Sequence, residues 1–244
     1  MKKLIKIIAI LFVVCIVATI LFFTIFLDKT VKYGVELVGP QIIGVPVALE
    51  DVNISIFNGS GEITNLAISN PDGFDTEFIA KVERARLDID LKTLLSNKII
   101  IEKLIVEGPV FAYEMSRKGN NVSKILENLK AGKKDDAEKG SAGEQGKKIS
   151  GKKIQINLFR MTDAKVRLQS DTVALPIPDI ELKDIGKEDD GVSPEEAVAE
   201  IFSKVSSVIV NVASNVGRAA KETGSGIIKG IKGIFKDDDK SPKK

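Results

Sequence analysis

The sequence predicts an α+β protein that is mainly β: an N-terminal transmembrane helix, then a curved antiparallel sheet of about eight strands, then C-terminal amphipathic helices. Three observations carry this. From Ile7 to Leu27 the chain runs twenty-one residues without a charge, a proline or a glycine. Beyond Val45 the apolar residues recur at every second position, the period of a half-buried strand. From Ser193 a capping box opens a long stripe of Val, Ile and Phe at helical spacing.

At about 1.5 Å of rise per residue, the Ile7–Leu27 run makes a helix roughly 30 Å long, the thickness of a bilayer's hydrocarbon core. A cleaved signal has a shorter apolar run and a small-x-small site, whereas Leu27 is followed by Asp28, Lys29 and Thr30. The run reads as an uncleaved anchor. Lys2, Lys3 and Lys6 precede it and only Lys29 and Lys32 follow closely. That bias predicts a cytoplasmic N-terminus and an exported body. Val31, Val35, Leu37, Val38, Ile42 and Ile43 continue the helical spacing, with a bend at Gly39-Pro40 and an end at Gly44. Residues 1–43 are therefore anchor and helical extension.

Residues 44–130 form the first part of the β-domain. Val45, Val47 and Leu49 alternate, then Val52, Ile54 and Ile56 alternate in the opposite phase, which predicts a bulge near Glu50-Asp51. Asn58-Gly59-Ser60-Gly61 supplies a hairpin turn, Ile63, Leu66 and Ile68 the returning strand, and Asn70-Pro71-Asp72-Gly73 its end. Phe78 to Leu91 puts Ala85, Leu87, Ile89 and Leu91 on one face and Arg84, Arg86, Asp88 and Asp90 on the other. Lys98 to Glu107 is apolar on both faces, as expected of an inner strand or one covered by a helix. Gly108-Pro109 starts another strand, and Asn121 caps a small helix with Val122, Ile125, Leu126 and Leu129 on one side.

Residues 131–153 hold five glycines and one large apolar residue, Ile149. They cannot bury enough surface to order themselves and read as a flexible linker. Strands resume over 154–184, where Pro176 and Pro178 lack ladder donors and place their strand at an edge. Residues 193–236 carry the C-terminal helices: one running to about Glu222, then a lysine-flanked segment with Ile227, Ile231, Ile234 and Phe235 on one side. That segment fits an interfacial membrane helix or a helix docked on the body. Residues 237–244 are a disordered tail.

Thirty-six Lys and Arg nearly balance thirty-four Asp and Glu, so the chain has no basic footprint for nucleic acid. Histidine is absent and the single cysteine, Cys15, lies in the apolar run, where a small apolar role outweighs lipid attachment. This removes His-based nucleophile pairs, His-ligated metals and intrachain disulfides. No catalytic residue, cofactor or metal ligand is expected. Asp88 and Asp90 share a face with Arg84, Arg86 and Lys92, which favours a solvated charge ladder over acid/base chemistry.

The stretches GVPVALEDVNISIFNGSGEITNLAISNPDGF and ERARLDIDLKTLLSNKIIIEKLIVEGPVF, with the Glu-Gly-Pro turn at 107–109 and the step NNVSKILENL, resemble the AsmA-like family of Gram-negative envelope proteins. The resemblance covers roughly residues 1–130. It implies a single-pass inner-membrane protein with a periplasmic sheet groove, related to chorein-type bridges that carry phospholipid. Its expected partners are the membrane, phospholipid or another acyl-chain lipid, and an envelope protein; the alternative role is a scaffold that holds no lipid. The candidate groove residues are Val52, Ile54, Ile56, Leu87, Ile89 and Leu91. Either the stripe of the 194–222 helix covers them as an ordinary core, or they line an open gutter for acyl chains.

Overall fold

The computed structural model describes residue 14 and residues 26–117, 119–138, 152–169 and 174–223. The anchor lies outside these residues except for Val14, Phe26 and Leu27, and the 227–235 segment and the tail lie outside them entirely. Helix α1 covers residues 26–43 and ends where expected: the Gly44 N–H donates to Pro40 O (2.9 Å), with Gly44 at φ 79°. The strands are β1 (Val47–Ala48), β2 (Asp51–Ser55), β3 (Ser60–Ser69), β4 (Phe78–Ile89), β5 (Lys98–Glu107), β6 (Val110–Tyr113), β7 (Met115–Ser116) and β8 (Gly119–Asn120), followed by helix α2 (Asn121–Glu138). Then come β9 (Lys153–Thr162), β10 (Lys165–Leu168), β11 (Ala174–Pro176), β12 (Ile180–Ile185) and helix α3 (Pro194–Thr223).

Ten of these strands form one sheet, and β7 pairs with β8 in a separate ribbon. The ten are segments of six longer runs. Lys98 faces Lys153 and Tyr113 faces Leu168 in one unbroken register, so β5–β6 and β9–β10 are two bent strands side by side. In the same way β11–β12 pairs along β10–β9, and β1–β2 along β3. Six strands at roughly 4.8 Å spacing make a sheet about 25 Å across. The expectation of about eight antiparallel strands is corrected twice. The runs number six, and β5–β6 lies parallel to β9–β10. Parallel neighbours need a long crossover, and the chain between Tyr113 and Lys153 supplies one, with α2 inside it. The edge expected for Val173–Leu182 stands, since β11–β12 ends the sheet.

The bends share a cause. Followed across the registers, Glu50, Asn65, Glu83, Gly108, Asp163 and Pro178 fall on one line through all six runs. Asn65 (φ 50°), Gly108 (φ 60°) and Asp163 (φ 55°) adopt the left-handed conformation there. The predicted bulge at Glu50-Asp51 is therefore corrected. Ala48 faces Ala67 and Asp51 faces Thr64 in one register, so no residue is inserted, and the sheet creases as a whole. The crease inverts the side-chain phase on every strand while keeping one face apolar. This is why Val47 and Leu49 are buried on one side of it and Val52 on the other.

Two further local expectations shift. The β2–β3 turn occupies 56–59, two residues early, because Asn58 Oδ1 accepts from Ser60 N (3.2 Å) and Gly59 takes φ 71°. A Cβ on Gly59 would stand 2.4 Å from the Ile89 carbonyl oxygen, which belongs to the backbone and cannot swing away. Gly59→Ala is expected to cost roughly 2–3 kcal/mol, from the left-handed backbone and this clash together, read as a lower denaturant midpoint at unchanged slope. Helix α2 continues to Glu138, well past Leu129 and into the stretch read as linker.

Helices α2 and α3 lie on the apolar face. The Ser193 box forms as expected, with Glu196 N donating to Ser193 Oγ (3.2 Å) and Ser193 N to Glu196 Oε2 (3.1 Å). The stripe follows: Ala197, Val205, Ile209, Val212 and Val216 are buried against Ile156, Phe159, Met161 and Ile185 of the sheet and Ile125 of α2. Among the described residues α3 is long and apolar enough to cross a membrane, but its stripe is packed on protein.

Candidate functional site

Of the six candidate groove residues, four share the apolar face and two do not. Val52 on β2 and Leu87 and Ile89 on β4 lie in strands with Ile54, and Val52 is fully covered at 4% exposure. Ile54, Leu87 and Ile89 are half-buried. Ile56 has left the ladder for the β2–β3 turn, and Leu91 opens the 3₁₀ turn Leu91–Thr93 that follows β4. Both are exposed, at 43% and 38%. The strand ends early because Asp90 caps that turn, its carboxylate accepting from Lys92 N (3.0 Å).

Neither of the two alternatives holds for the whole face. Over β6, β9 and β12 the α3 stripe makes an ordinary core. Ile101, Leu104 and Val106 of β5 still pack against that core, while Ile54, Ile63, Ala85, Leu87 and Ile89 lie beyond it, half-buried. Helix α3 starts beside β9, where Ile154 and Val192 exchange backbone hydrogen bonds, and reaches β6 and α2 further along. Its path leaves the β2–β4 corner partly uncovered.

Helix α1 bounds that corner. Three residues one turn apart address the free edge of β1–β2: Asp28 Oδ1 accepts from Ile54 N (2.9 Å), Lys32 Nζ donates to Glu50 O (2.7 Å), and Glu36 Oε1 accepts from Leu49 N (3.2 Å). A helix laid along an edge with these partners satisfies groups that would otherwise pair with another chain. The i, i+4, i+8 spacing of Asp28, Lys32 and Glu36 was visible in sequence, although their edge was not.

The opposite face is wet, and the arginines at its centre are ion-paired. Arg86 Nε meets Glu62 Oε2 at 2.9 Å and Arg86 Nη1 meets Glu107 Oε1 at 3.2 Å, with Arg84 beside the same two carboxylates. The hydrogen bond that Arg86 donates to Glu62 and the charge of Glu107 raise the Arg86 guanidinium further above its usual range. The predicted ladder exists, but across strands: Arg84 and Arg86 pair with Glu62 and Glu107 instead of with Asp88 and Asp90. A concavity of about 440 Å³ between Asn53, Glu62 and Asp88, and another of about 380 Å³ at the crease near Gly108 and Asp163, open onto this face.

One buried polar cluster went unseen in sequence. Glu114, 5% exposed, accepts from Asp75 N (2.8 Å), Thr76 N (2.8 Å), Asn70 Nδ2 (3.0 Å) and the Thr76 hydroxyl. Asn121, fully buried, receives Glu114 N (3.0 Å) and Val122 N on Oδ1 and donates to Asn70 Oδ1 and Ala112 O. The α2 cap itself falls to Asn120, whose Oδ1 accepts from Ser123 N (2.7 Å). Asn121 instead ties the helix start to β6 and to the 70–77 loop. Burial alone would raise the Glu114 carboxyl, but its four donors outweigh that and hold it below the ordinary carboxylate range. Every acceptor of this cluster is filled from within the chain, so it is a structural node. No family model matches the chain, and no curated protein matches it.

Proposed function

We propose that the chain is a membrane-anchored, non-enzymatic protein of AsmA-like type whose β2–β4 corner shelters an acyl chain of a membrane lipid, on the exported side of the inner membrane. The observation that carries this reading is the half-buried stripe of Ile54, Ile63, Leu87 and Ile89, left beyond the core that α3 closes elsewhere. An apolar strip of this kind at a sheet corner is a place for an apolar guest. The resemblance of residues 1–130 to lipid-handling envelope proteins points the same way. So does the anchor, which supplies lipid at the protein's own base.

Size limits the role. A sheet about 25 Å across cannot bridge two membranes, so the corner serves as a short groove at one of them, or as one subunit of a longer conduit. The test uses photoreactive residues at positions 54 and 89 of the full chain, crosslinked in native membranes and resolved by mass spectrometry. Phospholipid adducts at both positions, and none at buried Val166, are the expected result. A single protein adduct in their place overturns the lipid reading in favour of a scaffold, and adducts at neither position overturn it outright.

A further inference from the structure

The β2–β3 turn and the loop after β4 form one exposed apolar tip. Phe57 is 74% exposed and Leu95 97%, with Ile56, Leu91 and Leu94 at 43%, 38% and 37%. The two segments are joined: Ile89 N donates to Gly59 O (2.8 Å), and the side chain of Leu91 lies against Gly59. The other exposed large apolar residues described are Val14, Phe26, Tyr33, Leu37 and Met115, and five gathered at one end of the body call for a covering phase.

Chain direction says which phase. Contacts from Asp28 to Ile54, Lys32 to Glu50 and Glu36 to Leu49 show β1–β2 running antiparallel to α1. As α1 leaves residue 26 for Gly44, the strand returns toward residue 26. The turn at 56–59 therefore lies past the start of α1, on the side from which the uncharged Ile7–Leu27 run enters. The tip's backbone is also provided for. Thr93 N donates to Asp90 O, Leu94 N to Leu91 O and Ser96 N to Thr93 O, while Thr93 Oγ1 accepts from Ile100 N and Lys152 Nζ meets Leu94 O. A loop that fills its own hydrogen bonds can leave water without stranding polar groups.

We infer that this tip, led by Phe57 and Leu95, inserts into the interfacial layer of the bilayer that holds the anchor and gives the body a second point of membrane contact. The inference rests on the anchored reading. Insertion to roughly 5–10 Å brings the leucines to the headgroup–acyl boundary and leaves Lys92 among the headgroups. It also turns the open β2–β4 corner toward the lipid.

The experiment uses the full chain with Cys15→Ser and one new cysteine, Phe57→Cys, Leu95→Cys or Asp72→Cys. Each carries an environment-sensitive fluorophore in vesicles of phosphatidylethanolamine and phosphatidylglycerol with brominated acyl chains. Labels at 57 and 95 are expected to lose roughly half their fluorescence to the bromines, and the label at 72, in the exposed loop at the far end of β3, almost none. Alkaline carbonate extraction is run on the same samples. If label 95 is unquenched while the protein stays with the membrane, the tip insertion is overturned and the anchor stands. Should carbonate release the protein, the anchored reading fails and the tip inference fails with it.

Discussion

Glu114→Ala is expected to lower the unfolding free energy by roughly 3–5 kcal/mol, because it removes the buried acceptor that four donors share. The N–H groups of Asp75 and Thr76 and the Asn70 amide all point at this carboxylate. Removing it takes the acceptor from both N–H groups, leaves the Asn70 amide only the Thr76 hydroxyl, and releases the 70–77 loop from the start of α2. Glu114→Gln is the sharper variant. Its amide fits the same space, but both carboxylate oxygens only accept, so an NH₂ must face a donor whichever way it turns; about 2 kcal/mol is expected. The pH dependence follows from the depressed folded-state carboxyl. Its stabilising contribution is complete above the ordinary glutamate range near pH 4.5 and is lost as pH falls through the lower folded value. Denaturant unfolding of the solubilised full chain between pH 7 and pH 3 should show the wild type losing its advantage over the Gln variant only at the acid end. A constant gap across that range would mean that the carboxylate is not held as an anion.

Sequence period and turn chemistry made most of the elements legible. The α1 end at Gly44, the Glu-Gly-Pro bend, the Ser193 capping box and the stripe of α3 all depend on contacts within a few residues, and all form as read. The sheet's connectivity was not legible in the same way. Alternation is identical for parallel and antiparallel neighbours, so the KIIIEKLIVE and KIQINLFRMT strands gave no sign of running side by side. The clue is the thirty-nine residues between Tyr113 and Lys153, too long for a hairpin and containing a helical pattern. The crease was legible only in part. Its phase inversion shows at Glu50, where alternation alone reads as an insertion, while its counterparts at Asn65 and Asp163 have no local signature beyond a residue tolerant of positive φ.

The groove residues divide along the same line. Val52, Ile54, Leu87 and Ile89 sit where alternation puts them, and Ile56 and Leu91 lie one alternation step past a strand end. Their displacement creates the tip, since each left the sheet for a loop that carries further exposed apolar residues. Glu114 escaped notice because a single carboxylate after an alternating strand looks solvated. Only the fold brings Asn70, Thr76 and Asn121 around it.

Ile209→Ala is expected to destabilise the body by about 2–5 kcal/mol, the range for a buried aliphatic whose site cannot collapse. Ile209 is 1% exposed at the middle of the α3 stripe, between Val205 and Val212. For a domain of this size the loss corresponds to a fall of roughly 5–15 °C in Tm, followed by circular dichroism on solubilised full chain. The substitution also decides between two fates of α3. Its length and hydropathy alone would let Pro194–Arg218 cross a bilayer, where lipid tails are as apolar as the lost side chain and fill the space it leaves. Packed on a sheet, Ala opens a cavity beneath the helix that nothing fills. A Tm unchanged within about 2 °C would place α3 in lipid and uncover the whole apolar face, whereas the expected fall keeps it on β6, β9 and β12. Ile54→Ala, at the half-buried corner outside the core cluster, removes a similar side chain and should cost well under half as much, because its surroundings already border a space that a guest or solvent occupies. The ratio of the two losses thus measures how far α3 closes the sheet, and with it how much of the apolar face is left open.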